Sequence, residues 1–342
     1  MDRYNASILA SDNEQHSQVR RAALSAKDLC GLFLPITTPF NKDESLDLEG
    51  LVANITKWNQ SGIAGYVVMG STGERVHLDE GEYIEVIAAA RRAVSDGLTL
   101  VAGAGQQSTR GTIAEIKRAA AAGAEAVLVI TPHFYRAAIT PTVLIKHYEE
   151  IADAAPVPVI LYSMPDLTGV KIEPQTVAAL SSHPNIIGIK DSSADVANLL
   201  QTVKLVHDSR SDGGQTSSSK DFAILTGNGA VLVEALAAGV DGAILAVGCV
   251  AFNLCLEIMK AMQNQNAGRA QELQEHLTPL ARAVTKTYGI GGLKAALDII
   301  GHVGGAVRAP LVAPHEEARS EIRNYLSAAQ KAVQALSMKQ VL

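Results

Sequence analysis

Asn185-Ile-Ile-Gly-Ile-Lys190-Asp191 is a short apolar run that ends on a lysine. Its length and β-branched residues are typical of a strand buried on both faces of a parallel sheet. Burial opposes the positive charge of a lysine and frees the amine to attack a carbonyl carbon. A lysine at a strand end also commonly extends its ammonium to solvent, so this run alone leaves the role of Lys190 open.

Runs of this kind recur from residue 31 onward and alternate with helix-length amphipathic stretches. The predicted strands are Leu32–Thr38, Gly65–Met69, Thr99–Gly103, Ala126–Thr131, Val157–Tyr162, Ile186–Lys190, Phe222–Thr226 and Gly242–Leu245. Eight strand–helix units in series predict an α/β fold of the (β/α)8 TIM barrel type. A doubly wound open sheet is the alternative, but Thr37-Thr38-Pro39-Phe40 after the first strand is not its glycine-rich turn.

Two segments flank the barrel, which we predict over residues 31–265. Residues 1–30 are polar, include acidic side chains and lack an apolar core segment, so we expect a flexible arm rather than a secretory signal. Helical patterns near residues 267–287, 292–300 and 315–336 predict a C-terminal helical domain over residues 266–342. His207–Asp221 is rich in Ser, Gly and Asp and predicts a mobile loop.

The composition excludes several classes of partner. The net charge is −6, from 29 basic and 35 acidic residues, and no basic stripe favours nucleic acid or an anionic membrane. No apolar stretch reaches transmembrane length. Cys30, Cys249 and Cys255 are scattered and fit a reducing compartment. We expect a cytoplasmic protein; a mitochondrial location is the alternative, against which the acidic residues near the N-terminus argue.

Three predicted strands end on polar residues that would meet at the carboxyl-terminal face of the barrel, where active sites of this fold lie. Gly70-Ser71-Thr72-Gly73-Glu74 offers two hydroxyls and closely spaced N–H groups, which suit a small carboxylate, although such a turn also caps helices. Tyr162 can pass a proton or be a core tyrosine with a satisfied hydroxyl. Lys190 ends the sixth strand.

Together these residues predict one site, with Lys190 as nucleophile, Tyr162 as proton relay and Ser71 with Thr72 as carboxylate clamp. Lys190 would form an imine with a 2-oxo acid. The protonated imine withdraws electrons, which permits C–C cleavage to pyruvate or the reverse addition. We expect no cofactor beyond this covalent imine and no metal, because the nine histidines are dispersed and only His133 falls near a strand end.

These motifs resemble the dihydrodipicolinate synthase / N-acetylneuraminate lyase superfamily of class I aldolases, from about Gly31 to Leu311. Within it the chain is most similar to 4-hydroxy-2-oxoglutarate aldolase. The stretches behind this finer resemblance are Leu161-Tyr-Ser-Met-Pro165, His183–Ser192, Tyr288-Gly-Ile-Gly-Gly-Leu-Lys294 and Gly304–Leu311. The resemblance implies a TIM barrel with a C-terminal helical domain, a Schiff-base lysine at Lys190, pyruvate as partner and a homotetramer built as a dimer of dimers. We expect Gly70, Gly227 and Ile244 to line the substrate site with Ser71 and Thr72.

The chain also departs from the family pattern. Leu167 occupies a position where dihydrodipicolinate synthases usually carry an arginine, and an apolar side chain cannot pair with a carboxylate. The loop Gly227–Ala230 lacks the Asp-Glu pair of the sialic-acid lyases. Phe134 replaces a tyrosine that the resemblance places in a proton relay across a dimer interface. Tyr135 or His133 could take its place, or the relay could run through Tyr162, Thr72 and water.

The leading hypothesis is therefore a Schiff-base aldolase that cleaves a 4-hydroxy-2-oxo acid to pyruvate and an aldehyde. Candidate substrates are 4-hydroxy-2-oxoglutarate and 2-keto-3-deoxy sugar acids. One alternative is condensation of pyruvate with an aldehyde, as in dihydrodipicolinate synthase, which Leu167 disfavours. Another is a catalytically weak homologue that binds an oxo acid, for which Phe134 is the only support.

Overall fold

A computed structural model describes residues 24–211 and 222–339, and within them eight parallel strands close into a barrel in the order of the chain. The strands are β1 (Gly31–Pro35), β2 (Gly65–Val68), β3 (Thr99–Ala104), β4 (Ala126–Ile130), β5 (Val159–Ser163), β6 (Ile186–Asp191), β7 (Ala223–Thr226) and β8 (Gly242–Ile244). β1 pairs with both β2 and β8, so the sheet has no free edge. The predicted (β/α)8 TIM barrel is confirmed.

Helices connect the strands and continue beyond the barrel. They are α1 (Leu48–Trp58), α2 (Glu80–Ala93), α3 (Thr109–Ala121), α4 (Pro141–Ala154), α5 (Pro165–Thr168), α6 (Pro174–Leu180), α7 (Val196–Ser211), α8 (Leu232–Ala237), α9 (Gly248–Gln263), α10 (Ala267–Arg282), α11 (Gly289–Ile299) and α12 (Glu316–Lys339). Short 3-10 helices lie at Ala26–Leu29, Ser71–Gly73, Arg75–His77, Arg136–Ala138 and Gly229–Val231, and a π-helical turn at Ala283–Thr287 joins α10 to the segment before α11.

Alternating side chains divide the apolar residues into two clusters. In β1, Leu32 and Leu34 pack outward against the helices, whereas Phe33 points into the barrel. The outer cluster is the larger one and extends to the C-terminal helices, where α10 packs on α9 and α12. The domain boundary at residue 265 stays a prediction. α9 and α10, on either side of it, are in direct contact.

A β-bulge in β6 decides which way Lys190 points. Val159 pairs with Ile186 but Ile160 pairs with Gly188, so β6 has one residue more than β5 at this place. Strict alternation would put Lys190 and the inward-facing Ile187 on opposite faces of the sheet. The extra residue restores an inward direction at Lys190.

The end of the predicted N-terminal arm is part of the barrel. Ala26–Leu29 is a 3-10 helix, and Ala26 and Leu29 are buried within the inner apolar cluster. The Leu29 side chain lies 3.2 Å from the place where a Cβ would stand on Gly188, so this turn closes the amino-terminal end of the barrel beneath the bulge. Residues 1–23, the rest of the arm, lie outside the described residues.

Other boundaries differ from prediction by a few residues. β1 ends at Pro35, because Thr38 turns away and donates its hydroxyl to the Gly73 carbonyl at 2.8 Å. α7 continues to Ser211, so the first part of the predicted 207–221 loop is helical, and residues 212–221 lie outside the described residues. Among the described helices, none combines the length and apolarity needed to cross a membrane.

Candidate active site

β5 and β6 bring Tyr162 and Lys190 together inside the barrel, at the carboxyl ends of the strands. The two residues are partners in the β5–β6 ladder, and the Lys190 Nζ lies 4.5 Å from the centroid of the Tyr162 ring. Each residue is only 5% exposed, so the amine and the phenol are both withdrawn from bulk water.

Acidic neighbours do not engage the Lys190 amine. Within residues 24–211 and 222–339, no carboxylate forms an ion pair with Lys190. The adjacent Asp191 uses its carboxylate elsewhere, because it accepts hydrogen bonds from the Ser193 N–H at 2.7 Å and the Asn198 amide at 3.3 Å. The amine is therefore available to a substrate carbonyl without competition from an ion-pair partner.

The segment Gly70–Glu74, here called the clamp turn, follows β2 and forms the 3-10 helix Ser71–Gly73. The first N–H groups of such a helix have no partner within it and can bind an anion. The Ser71 hydroxyl lies 3.5 Å from the Tyr162 hydroxyl, which places the clamp turn beside the phenol. Thr72 is buried next to it. The Ser71 hydroxyl is therefore within reach of the Tyr162 phenol.

Gly227 and Ile244 have different surroundings. A Cβ on Gly227 would stand 2.7 Å from the Lys190 Cε and 1.9 Å from the Ser192 hydroxyl oxygen, so this glycine makes room for the lysine side chain. Ile244 is buried in the inner apolar cluster that also contains Tyr162. Gly70 begins the clamp turn and has space for a Cβ, since the nearest atom would be 3.7 Å away.

The three candidate relay residues after β4 are not gathered around Lys190 within the chain. Phe134 and Tyr135 are 73% and 74% exposed, and their rings contact each other edge to face at 5.0 Å. The backbone N–H groups of His133 and Phe134 both donate to the Gln107 side-chain oxygen, which fixes the loop. Phe134 itself has no proton to pass, and a tyrosine at this exposed position would reach a site only in a neighbouring subunit.

Leu167 is exposed on α5, just beyond Tyr162. The Arg136 guanidinium comes from the β4–α4 loop and lies against Gly169, where a Cβ would be 2.8 Å from its Nη1. Among the described residues, Arg136 has no carboxylate partner. Lys171, the basic residue that follows Leu167 in the sequence, is already paired with Asp195 at 3.1 Å. Within the described part of the chain, the Arg136 guanidinium is thus a cation without an ion-pair partner beside α5.

The sequence reasoning missed a buried ion pair behind the clamp turn. Glu74 ends the turn and pairs with Lys294 of α11, and the backbone N–H of Arg308 donates to the same carboxylate at 3.1 Å. The signal was present, because Lys294 and Arg308 fall in two of the C-terminal stretches behind the finer resemblance. No local pattern, however, connects them with residue 74.

Comparison with known proteins identifies the family of the chain. The profile of the dihydrodipicolinate synthetase family matches residues 28–329. A 4-hydroxy-tetrahydrodipicolinate synthase from Methanothrix thermoacetophila is 33% identical over 299 residues, which cover 87% of this chain and 96% of the relative.

Two solved structures share the fold. The dihydrodipicolinate synthase of Thermotoga maritima superposes with a TM-score of 0.80 at 30% identity, over 88% of this chain and 99% of the other. A prophage protein of the dihydrodipicolinic acid synthase family from E. coli K12, in complex with pyruvate, gives 0.79 at 28% identity, over 88% and 98%. The superfamily resemblance is confirmed, but these names do not support the finer likeness to 4-hydroxy-2-oxoglutarate aldolase.

Proposed function

The chain belongs to the dihydrodipicolinate synthetase family, whose members are pyruvate-dependent class I aldolases, and we propose that Lys190 is its Schiff-base lysine. The observation that carries the proposal is the buried Lys190 amine over the Tyr162 ring, with the clamp turn beside the phenol. The reaction joins C3 of pyruvate to the carbonyl carbon of an aldehyde, or reverses that addition.

The first step is imine formation. The Lys190 nitrogen attacks C2 of pyruvate, and the carbonyl oxygen takes up two protons, one of them passed on from the attacking nitrogen, and leaves as water. Tyr162 supplies and recovers protons, and the Ser71 hydroxyl at 3.5 Å connects the phenol to the clamp turn. The pyruvate carboxylate binds the clamp turn, where the first N–H groups and two hydroxyls converge.

The second step forms or breaks the C–C bond. The protonated imine accepts electrons, so a proton leaves C3 and an enamine forms. The enamine carbon attacks the aldehyde, whose oxygen takes up a proton, and hydrolysis of the product imine frees Lys190. Cleavage follows the same steps backwards, which is why one site serves both directions.

Two directions compete. The names of the relatives favour condensation of pyruvate with an aldehyde, and we take this as the main function, although the sequence alone favoured cleavage. Cleavage of a 4-hydroxy-2-oxo acid remains the second candidate because Leu167 leaves α5 without the family arginine. Measuring both directions with the same enzyme preparation decides between them.

Arg136 is our candidate for the residue that selects the aldehyde substrate. Its guanidinium lies beside α5 against Gly169 and has no carboxylate partner among the described residues. A guanidinium binds a carboxylate through two parallel hydrogen bonds, so Arg136 favours an aldehyde that carries a second acidic group. This preference fits aspartate semialdehyde and glyoxylate and disfavours the neutral aldehydes that 2-keto-3-deoxy sugar acids release.

Reductive trapping tests the imine. The protein is incubated with pyruvate and sodium borohydride, weighed by mass spectrometry and mapped by peptide digestion. We expect one adduct on Lys190, lost in Lys190→Ala and retained in Lys260→Ala, which removes an exposed lysine of α9. Adduct on other lysines only, or none at all, would show that the protein is not a Schiff-base enzyme of this site.

A panel of aldehydes tests Arg136. Arg136→Ala should raise the KM for a carboxylate-bearing aldehyde at least tenfold and leave the KM for a neutral aldehyde of similar size unchanged. Arg92→Ala, which removes an exposed arginine at the end of α2, is the matched control. Equal effects on both aldehydes would refute the proposed contact.

A further inference from the structure

Glu74 has an unusual backbone and unusual surroundings for a glutamate. Its φ is +54°, in the left-handed region that favours glycine, and its side chain is 1% exposed. A non-glycine residue in this region costs free energy, which the surrounding contacts must offset. At Glu74 the gain is a set of buried charge-assisted hydrogen bonds.

The partners of Glu74 come from the C-terminal part of the chain. One carboxylate oxygen contacts the Lys294 ammonium, which is 2% exposed, and the other accepts the Arg308 backbone N–H at 3.1 Å. The His77 ring nitrogen lies 3.4 Å from that second oxygen. The C-terminal helices therefore reach the clamp turn through one buried carboxylate.

Lys294 connects further segments to the same point. Its ammonium also donates to the Ala306 carbonyl and lies 4.4 Å from the centroid of the Phe40 ring. The Arg308 guanidinium stacks on the same ring at 4.3 Å and pairs with Glu82 of α2. Phe40 lies in the loop after β1, so α11, the 306–308 segment and two βα loops meet behind the clamp turn.

The clamp turn is fixed at its far end by these contacts. The Glu74 N–H donates to the Ser71 carbonyl at 3.3 Å, and the Gly73 carbonyl accepts the Thr38 hydroxyl at 2.8 Å. A shift of Glu74 would therefore move the N–H groups and hydroxyls of Ser71 and Thr72. Anion binding by several convergent donors depends steeply on their positions.

We infer that Glu74 and Lys294 are positioning residues, which hold the clamp turn in the geometry that binds the substrate carboxylate. The inference rests on the proposed function, because it takes the clamp turn as the pyruvate carboxylate site. It also makes the C-terminal helices part of the active site, although they supply no residue that touches the substrate.

Lys294 is unsuited to a second role as nucleophile. It is as buried as Lys190, and burial lowers its pKa, while the bond to Glu74 acts in the opposite direction. Its ammonium is committed to the Glu74 carboxylate, the Ala306 carbonyl and the Phe40 ring. We therefore expect borohydride trapping to leave Lys294 unlabelled.

The test measures how much pyruvate is needed to label half of Lys190 under borohydride. Glu74→Gln and Lys294→Met should each raise this concentration at least tenfold. In the double variant the rise should be smaller than the product of the two single rises, because the two residues act through one contact. The KM for the aldehyde at saturating pyruvate should stay within about twofold, because the proposal assigns only the pyruvate carboxylate to the clamp turn.

The Arg91–Glu125 ion pair, 2.9 Å long, provides the control. Glu125 precedes β4 at the opposite end of the barrel. Glu125→Gln should therefore lower thermal stability without changing the pyruvate concentration that labels half of Lys190. Lys294→Arg keeps the charge and should recover part of the pyruvate affinity. If Lys294→Met folds poorly, the pyruvate concentrations measured for Glu74→Gln and Lys294→Arg test the inference in its place.

The outcomes separate the two ideas. Wild-type protein without an adduct on Lys190 would overturn the proposed function, and this inference with it. A normal wild-type adduct, together with an unchanged half-labelling concentration in folded Glu74→Gln, would overturn the positioning role alone. An equal shift in Glu125→Gln and Glu74→Gln would also overturn it, since a general loss of stability would then explain both.

Discussion

Replacement of Gly227 by alanine is the most direct test of the space around Lys190. The backbone at Gly227 is outside the left-handed region, so alanine can adopt it without strain. The new Cβ would stand 2.7 Å from the Lys190 Cε and 1.9 Å from the Ser192 hydroxyl oxygen, and neither distance occurs between real atoms at rest. Side chains, rather than the barrel, must therefore give way.

The structure sets the size of the effect. To reach a contact of 3.4 Å, the Lys190 Cε must move by about 0.7 Å and the Ser192 oxygen by about 1.5 Å. A misplacement of about 1 Å at a reacting group can reduce the rate about 10²-fold, which corresponds to roughly 2.7 kcal/mol of barrier. Overpacking of this kind costs about 1–3 kcal/mol of stability. The variant should fold and yet react slowly.

The assay is the rate of borohydride trapping on Lys190 at saturating pyruvate, with the unfolding free energy measured in parallel. Gly268→Ala is the matched control, because a Cβ at this position in α10 would meet nothing within 4 Å. It should trap pyruvate at the wild-type rate. A wild-type trapping rate in Gly227→Ala would refute the idea that this glycine sets the position of the lysine.

Three further predictions concern proton transfer and pH. Tyr162→Phe should lower kcat about 10²–10⁴-fold, because it removes the proton-carrying hydroxyl but keeps the ring beside Lys190; a loss under tenfold would exclude Tyr162 as the relay. Phe134→Tyr should raise kcat severalfold in steady-state assays, because it adds a phenol where the family resemblance implies one; an unchanged kcat would contradict a relay through this position. Burial lowers the pKa of His147 to about 4. Since the unfolded imidazole binds its proton near pH 6.5, this residue's contribution to stability is complete above that pH and falls by roughly 3 kcal/mol towards pH 4. The unfolding free energy, measured with urea, should fall between pH 6.5 and pH 4 more steeply in wild type than in His147→Gln. An equal fall in both proteins would contradict the role assigned to His147.

The barrel could be predicted from the sequence because its strands are short, apolar and regularly spaced. Buried parallel strands carry this pattern in every unit, and their shared direction places all strand ends on one face. The nearness of Tyr162, Lys190 and Ser71 follows from that rule without any knowledge of distances. α5, only four residues long, carries no periodic signal and was not predicted.

The direction of the Lys190 side chain could not be predicted in the same way. Alternation along β6 turns Lys190 outward if Ile187 faces inward, and only the bulge opposite Ile160 reverses this. The bulge is a mismatch with the partner strand β5, and the Leu29 side chain packs beneath it against Gly188. These are contacts between distant parts of the chain, and no local pattern records them. The Glu74–Lys294 pair was missed for the same reason.

The chain has two buried lysines, Lys190 and Lys294, and we propose only the first as a nucleophile. Lys190 and Lys294 are both almost fully enclosed, and each lies about 4.5 Å from the centroid of an aromatic ring, Tyr162 and Phe40 respectively. Burial and an aromatic neighbour therefore do not distinguish them. The carboxylate does, because Glu74 engages Lys294, while no carboxylate among the described residues engages Lys190. The Lys294 nitrogen is occupied by a carboxylate, a carbonyl and a ring, whereas the Lys190 nitrogen has no carboxylate partner among the described residues and is open to a substrate carbonyl. In our proposal, the glutamate that engages Lys294 also fixes the turn that binds the substrate carboxylate beside Lys190.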